Sequence, residues 1–437
     1  MEKKRSFLSE AVIAGFALFA VFFGAGNLIF PPFLGLEAGT GWFKGFVCFV
    51  TADAGLAIMT VLASVRFSGN ISELLKPLGR VPARILLTIV ILCVGPLVAI
   101  PRTGATTYEL GIMQMLPGFS PWLFALIFFG IVALLTIRPT SVVDIIGKFL
   151  TPLLLITLAV LCLKGILSPI GEISETARSV NVTKDGILAG YQTMDALGAI
   201  PLSIIILKSV TAKGYGGRKD VFKVMIPGSI VAFAGLFLVY GGLCYLGATT
   251  SLMELGEINQ TGLVVLVTEL LLKRFGVVLL GLIVFFACLT TAIGLTSSAA
   301  DYFSDLTKGK ISYRALVLII CAVGVVVSNF GISTIISVAS PLLTVVYPVF
   351  LTQIVLSFFR KWIKNDNVYR GAAIGALITA VLDTARELGA ALPFLEKLPL
   401  AEYGFAWLAP AIVGALIGAF IRPEDVSVQP AELQPLS

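Results

Sequence analysis

The chain has 437 residues, of which 57% are hydrophobic and 13% are charged, and its mean hydropathy is +1.00. A soluble domain carries roughly 25% charged residues and needs a polar shell, so this composition predicts a membrane protein that crosses the bilayer several times. It excludes a water-soluble enzyme, a nucleic-acid binder and a secreted disulfide scaffold as descriptions of the whole chain.

Two residue types narrow the chemistry further. The sequence contains no histidine, which excludes histidine-based catalysis, histidine metal ligands and histidine proton relays. The six cysteines stand singly in apolar segments without any CxxC pair, so zinc, haem and redox sites are not expected. We therefore expect no cofactor. The net charge of +6 is typical of a membrane protein with basic cytoplasmic loops.

The apolar segments predict an all-α protein with about twelve transmembrane helices, since one helix needs about 20 residues to cross a bilayer. The predicted spans are 8–35, 41–65, 82–107, 120–137, 143–167, 187–207, 221–247, 275–304, 312–330, 332–358, 368–386 and 402–421. We expect a short surface helix over 261–273 before the eighth span. The polar segment 422–437 contains three prolines and is predicted to be a disordered cytoplasmic tail.

The basic residues predict the orientation. With the N-terminus inside, alternate connections hold 22 of the 31 Lys and Arg residues, and the opposite connections hold nine, including Arg102. This asymmetry predicts a multi-pass protein of a bacterial-type cytoplasmic membrane with both termini in the cytoplasm. The N-terminal MEKKR and the apolar run after it are interpreted as a retained first helix, not a cleaved signal peptide.

Spans 1 and 6 each contain an interruption. Span 1 breaks at Gly24-Ala25-Gly26-Asn27, and span 6 breaks near Gln192-Thr193-Met194-Asp195. Two interrupted spans five helices apart predict two five-helix halves, and the second half is inverted because five is odd. The predicted divisions are 1–167 for the first half, 168–358 for the second, and 359–421 for two additional helices.

The break in span 1 predicts a binding site for a carboxylate and a cation. Pro31 cannot donate a hydrogen bond to the carbonyl of Asn27, and two glycines allow a ligand to approach the backbone. Amides at the start of the outer half-helix would face a carboxylate, and carbonyls near Ala20 to Phe23 would face a cation. The alternative is a seam of small residues that packs helices together.

The break in span 6 predicts the other half of the site. Four polar side chains, those of Tyr191, Gln192, Thr193 and Asp195, stand here together with Met194. Gly190, Gly198 and Pro201 flank them as helix breakers. A charged aspartate in hydrocarbon needs a cavity or a partner. A zwitterionic ligand would place its ammonium against carbonyls at this break, where Asp195 could attract it. The alternative is a polar patch that joins helices without binding a ligand.

Two further features of the spans bear on ions. Ala287, Thr290 and Thr291 share one face of span 8 and offer hard oxygen ligands for Na⁺, although such hydroxyls also bond back to their own helix.

Intramembrane charges occur at Asp53, Asp301, Asp383 and Glu109. The polar end of span 3, with Arg102, is interpreted as a membrane interface, with an outer vestibule as the alternative. Asp301 and Asp305 are four residues apart and would suit the Mg²⁺ site of an intramembrane phosphotransferase, which is a remote alternative function.

The stretches FFGAGNLIFPP (22–32) and YQTMDALGAIPL (191–202) resemble the branched-chain amino acid transport system II carriers, the BrnQ family. The resemblance covers essentially the whole chain. It implies a LeuT-type inverted-repeat transporter that takes up leucine, isoleucine and valine with Na⁺, or with H⁺ in some members. It also implies that carbonyls of Ala20 and Phe23 join Ala287, Thr290 and Thr291 around Na⁺.

We therefore expect a Na⁺-coupled symporter for branched-chain amino acids that works by alternating access and is not an enzyme. The substrate residues would be Gly24, Ala25, Gly26, Asn27, Tyr191, Gln192, Thr193, Met194 and Asp195. Sodium is favoured over protons because histidine is absent, while a proton route through Asp195 or Asp53 stays open. The alternative is a proton-coupled carrier, or a carrier of another small zwitterion, with the same fold.

Overall fold

A computed structural model describes residues 7–67, 71–137, 155–199 and 218–422, and all regular elements within these ranges are helices. The first helices are α1 (Phe7–Phe22), α2 (Ala25–Ala38), α3 (Trp42–Val50), α4 (Leu56–Arg66), α5 (Ile71–Leu75), α6 (Arg80–Leu92), α7 (Ala99–Thr107), α8 (Met113–Met115) and α9 (Pro121–Ile137). They are followed by α10 (Leu155–Leu167), α11 (Val182–Thr193), α12 (195–199), α13 (Arg218–Ala248), α14 (Gln260–Leu306), α15 (Tyr313–Ser328), α16 (Ile332–Phe358), α17 (Asp366–Glu387) and α18 (Leu408–Phe420).

The helices agree with a multi-pass membrane protein. Within the described ranges, six helical segments are long and apolar enough to cross a bilayer, and five shorter helices are also apolar. Many large apolar side chains are exposed on their outer surfaces, as lipid contact requires. The predicted tail 422–437 lies outside the described residues, apart from Arg422, as do parts of spans 5 and 6.

Several spans contain interruptions where the sequence supplies a local cause. Span 1 divides between α1 and α2 at Phe23 and Gly24, and span 6 divides at Met194, as predicted. Pro31 and Pro32 lie inside α2 and do not end it. The helix predicted over 261–273 forms the first part of α14, and a non-helical Lys273 with φ of 57° separates it from the rest of α14.

Two interruptions were not predicted. Wide π-helical turns join α3 to α4 over Thr51–Gly55 and α6 to α7 over Cys93–Leu97, where Gly95 has non-helical angles. Such turns often occur at functional sites, because the extra residue redirects a side chain. The first of them carries Asp53, and the second precedes the helix that carries Arg102.

Small residues bring α2 and α13 into close contact. A Cβ atom added at Gly35 would lie 1.9 Å from the carbonyl oxygen of Cys244, and one added at Gly247 would lie 1.8 Å from that of Pro32. Such contacts are typical of membrane helices that pack through glycine. The approach places Tyr240 of α13 beside the start of α2. The α11 helix packs against α2, α3 and α16, so both broken spans lie inside the bundle.

Candidate substrate and cation site

The break in span 1 turns backbone groups away from their usual helical partners. The amide of Gly24 donates to the carbonyl of Phe22 at 3.0 Å and to Oδ1 of Asn27 at 3.3 Å. In an unbroken helix this amide would bond to the carbonyl of Ala20. The amides of Ala25, Gly26 and Asn27 begin α2, so the helix itself provides no acceptors for them. The break therefore presents amides on one side and carbonyls on the other.

The side chain of Asn27 connects this break to three other helices. Its Nδ2 lies 2.7 Å from Oδ2 of Asp195, 2.5 Å from the hydroxyl of Tyr240 and 3.3 Å from Oδ2 of Asp53. Because both carboxyl groups contact one nitrogen atom, their nearest oxygens lie at most about 6 Å apart. Asp53 also accepts a hydrogen bond from the Thr193 hydroxyl at 2.7 Å. Two acidic groups thus meet in a buried network.

The break in span 6 depends on Met194, which adopts a left-handed conformation with φ of 65° and ψ of 15°. The amide of Met194 donates to the carbonyl of Tyr191, and the Thr193 hydroxyl lies 2.6 Å from the carbonyl oxygen of Gly190, which is an alternative acceptor to Asp53 for its one proton. The carbonyls of Gln192 and Thr193 accept hydrogen bonds from Arg102 instead. Asp195 then starts the short α12 helix on the other side of the break.

Arg102 corrects the interpretation of span 3. Its side chain is only 4% exposed, and its guanidinium donates to the carbonyl of Gln192 and, at 2.9 Å, to that of Thr193. The same group lies over the ring of Phe30 at 5.7 Å from the centroid. It is therefore a buried part of the site, not an interfacial or vestibular charge. The carbonyls predicted to face a substrate ammonium are held by this arginine.

The break residues and Arg102 surround a cavity of about 50 Å³, which has room for a few water molecules. The lining residues are Phe22, Gly24, Ala25, Asn27, Val94, Ala99, Arg102, Thr103, Thr193, Met194, Asp195, Gly198, Thr291 and Leu295. Six of the nine predicted substrate residues therefore line it, whereas Gly26, Tyr191 and Gln192 do not. Of the predicted cation ligands, Thr291 lines it.

Tyr191 and Gln192 take other positions. The Tyr191 ring stacks on Tyr347 with centroids 4.3 Å apart, and both hydroxyls are buried without a hydrogen-bond partner among the described residues. The backbone carbonyl of Gln192 accepts from Arg102, while its side-chain oxygen is buried and finds no partner in the part of the chain that the structure describes. The predicted break in span 6 thus reaches the cavity through Thr193, Met194 and Asp195.

The hydroxyls predicted to bind Na⁺ are grouped around one carbonyl. The Thr290 and Thr291 hydroxyls lie 2.9 Å and 3.0 Å from the carbonyl oxygen of Ala287. These contacts are the local bonds that threonines commonly form in membrane helices. They also place three hard oxygen atoms together, and Thr291 reaches the cavity that Phe22 and Gly24 line. The donor set therefore suits Na⁺.

Three residues of the site, Asp53, Arg102 and Tyr240, were not among the predicted substrate and cation ligands. Asp53 was named only as an intramembrane charge and a proton route, and Arg102 only as part of the polar end of span 3. Both could have been assigned to the site, because an ionisable side chain inside a span has a functional role by default. Both are buried, and both act on the same network around Asn27 and Asp195. Tyr240 gave no signal, since a tyrosine in an apolar helix is ordinary.

Comparison with solved structures identifies the fold. The chain is similar to Mhp1, a nucleobase-cation-symport-1 family transporter solved in a closed conformation with bromovinylhydantoin bound. The TM-score is 0.62 at 14% identity, covering 94% of this chain and 91% of the other. The protein has an all-α fold of the LeuT-type inverted-repeat class, as predicted.

Sequence comparison identifies the family. The family described as "Branched-chain amino acid transport protein" matches residues 8–424. The branched-chain amino acid permease BraB of Bacillus subtilis is 36% identical, over 94% of this chain and 95% of its own. BrnQ of Escherichia coli K12, also a branched-chain amino acid permease, is 35% identical, over 92% and 93%. These relatives are permeases, so the protein is a transporter and not an enzyme. This excludes the phosphotransferase alternative. The chain belongs to the branched-chain amino acid transport protein family.

Proposed function

We propose that the protein imports leucine, isoleucine and valine together with Na⁺ by alternating access. The observation that supports this proposal most strongly is one cavity between the broken spans that is lined by the start of α2, the Asp195 carboxyl group and apolar side chains. Asp53 lies next to this cavity, on the same Asn27 amide as Asp195. A zwitterionic amino acid with an apolar side chain presents the complementary groups. The names of the relatives favour branched-chain amino acids over other small zwitterions.

The proposed pose follows from the charges. The substrate carboxylate would bind amides at the start of α2, at Ala25 beside the cavity, where the dipole of α2 favours negative charge. The ammonium would lie toward Asp195 and Asp53. The branched side chain would contact apolar lining residues, which are Phe22, Val94, Ala99, Met194 and Leu295. Of the other predicted substrate residues, Asn27 and Thr193 would hold the carboxyl groups in place, while Tyr191 and Gln192 would support the break.

The charge balance of the site supports coupling to one cation. Two carboxylates and one guanidinium leave a single negative charge in a buried place, and the zwitterion adds no net charge. A Na⁺ ion held by Ala287, Thr290, Thr291 and the carbonyls of Ala20 and Phe23 would neutralise it. The alternative is a proton shared by Asp53 and Asp195, because like charges this close disfavour double ionisation.

The small volume of the cavity supports a moving site. A space for a few water molecules must enlarge before an amino acid enters. The helices of the two predicted halves, residues 1–167 and 168–358, would therefore have to rearrange around it. In this proposal Arg102 and the carboxyl groups stay at the middle of the bilayer while access alternates. Both termini would face the cytoplasm of the cell membrane, on the side that carries most Lys and Arg.

The test is leucine uptake by the purified full-length protein in proteoliposomes. An imposed inward Na⁺ gradient should drive accumulation at uniform pH, and a pH gradient without Na⁺ should not. Accumulation with the pH gradient alone would support the proton alternative instead. Absence of both uptake and exchange of labelled leucine would refute a leucine carrier.

A further inference from the structure

Arg102 is held in a fixed position by the broken span 6. Its guanidinium bonds to two carbonyls of one chain segment, and the Phe30 ring covers one face of it. A guanidinium has five N–H donors in a planar fork, and these two hydrogen bonds engage only two of them. The group is charged in a place almost without solvent, so its remaining donors favour an anionic partner.

The guanidinium also lies against the start of α2. A Cβ atom added at Gly26 would lie 3.0 Å from Nη2 of Arg102, so the backbone of the break adjoins the charged group. Arg102 and the break residues Gly24, Ala25 and Asn27 line the same cavity. Free amides, the positive end of a helix dipole and a cation therefore converge on one small volume. A carboxylate matches all three, and an ammonium matches none.

On this basis, and resting on the function proposed above, we propose that Arg102 binds the substrate carboxylate and determines selectivity for amino acids over their uncharged derivatives. The guanidinium complements the α2 amides on one side of the carboxylate. Asp195 lines the same cavity and would attract the ammonium, with Asp53 behind it on the Asn27 amide.

The test compares leucine with leucinamide, which keeps the ammonium and side chain but has no carboxylate. Binding is measured on the purified full-length protein by equilibrium titration. Wild type should bind leucine much more tightly than leucinamide. Arg102→Gln should weaken leucine binding by about 30-fold, the loss expected for a charge-assisted hydrogen bond, and change leucinamide binding less than 3-fold. The preference for leucine should largely disappear.

Two further variants complete the test. Arg102→Lys keeps a charge without the planar fork, so it should retain part of the preference while lowering leucine affinity about 10-fold. Arg66→Gln is the matched control, because Arg66 also donates to a backbone carbonyl, that of Phe358, but lies away from the cavity. It should leave the ratio of the two affinities unchanged.

The outcomes separate this proposal from the proposed function. If Arg102→Gln weakens both ligands equally, the arginine only positions the span-6 break, and the proposal is overturned. If Arg102→Gln does not fold, Arg102→Lys decides. Wild-type leucine affinity and a wild-type ratio of the leucine and leucinamide affinities in Arg102→Lys would also overturn the proposal. If wild type binds no leucine, the proposed function fails first.

Discussion

Replacing Asp195 by asparagine tests the role of the acidic pair in ion coupling. Asparagine keeps the size of the side chain and an oxygen that can accept from Asn27, whose Nδ2 lies 2.7 Å from Asp195. The charge alone is removed. The site then holds one carboxylate, Asp53, against one guanidinium, Arg102, and is neutral without any added cation. We therefore expect the protein to bind leucine with little dependence on Na⁺.

The magnitude follows from the separation of the two carboxyl groups. Unit charges at most about 6 Å apart repel by at least about 3 kcal/mol at an effective dielectric constant of 20. A cation that relieves this repulsion gains a similar free energy, which is about 100-fold or more in affinity. Asp195→Asn should therefore weaken Na⁺ binding by about two orders of magnitude or more, and uphill uptake should fall with it.

The assay is leucine binding at increasing Na⁺, with choline as the replacement ion, in detergent and in proteoliposomes. Asp383→Asn is the matched control, because Asp383 is also a buried carboxylate in a membrane helix but pairs with Arg386 at 2.8 Å, away from the cavity. It should keep the wild-type Na⁺ dependence. A wild-type half-saturating Na⁺ concentration in Asp195→Asn would refute the charge-balance reasoning.

Three other substitutions test separate parts of the site. Thr290→Val with Thr291→Val removes both hydroxyl ligands, so Na⁺ stimulation of uptake should be lost while membrane insertion persists; undiminished stimulation would exclude this cation site. Gly26→Val places a branched side chain against the Arg102 guanidinium, so leucine affinity should fall at least 10-fold in a binding titration, and normal affinity would show that the break is not the pocket. Leu295→Trp narrows the apolar wall, so competition assays should show about a 10-fold shift in preference from leucine toward valine; an unchanged ranking would place the substrate side chain elsewhere.

The sequence alone was sufficient for the class of protein and for both helix breaks. Apolar length predicts spans because an isolated backbone in lipid must satisfy its own hydrogen bonds. The breaks at Gly24 and Met194 also have local causes, since glycine and clustered polar residues change the backbone where they stand. Gly24, Asn27, Thr193 and Asp195 could therefore be assigned to a site before any tertiary contact was known.

Only the tertiary structure decided which side chains complete that site. Asn27 contacts Asp195 and Tyr240 across 168 and 213 positions of sequence, and no periodicity relates positions so far apart. The polar end of span 3 suits an interface when taken alone, but the packing of α7 directs Arg102 to the carbonyls of span 6. The physical reason is that a helix pattern specifies which face is polar, whereas the packing of distant helices determines what that face meets.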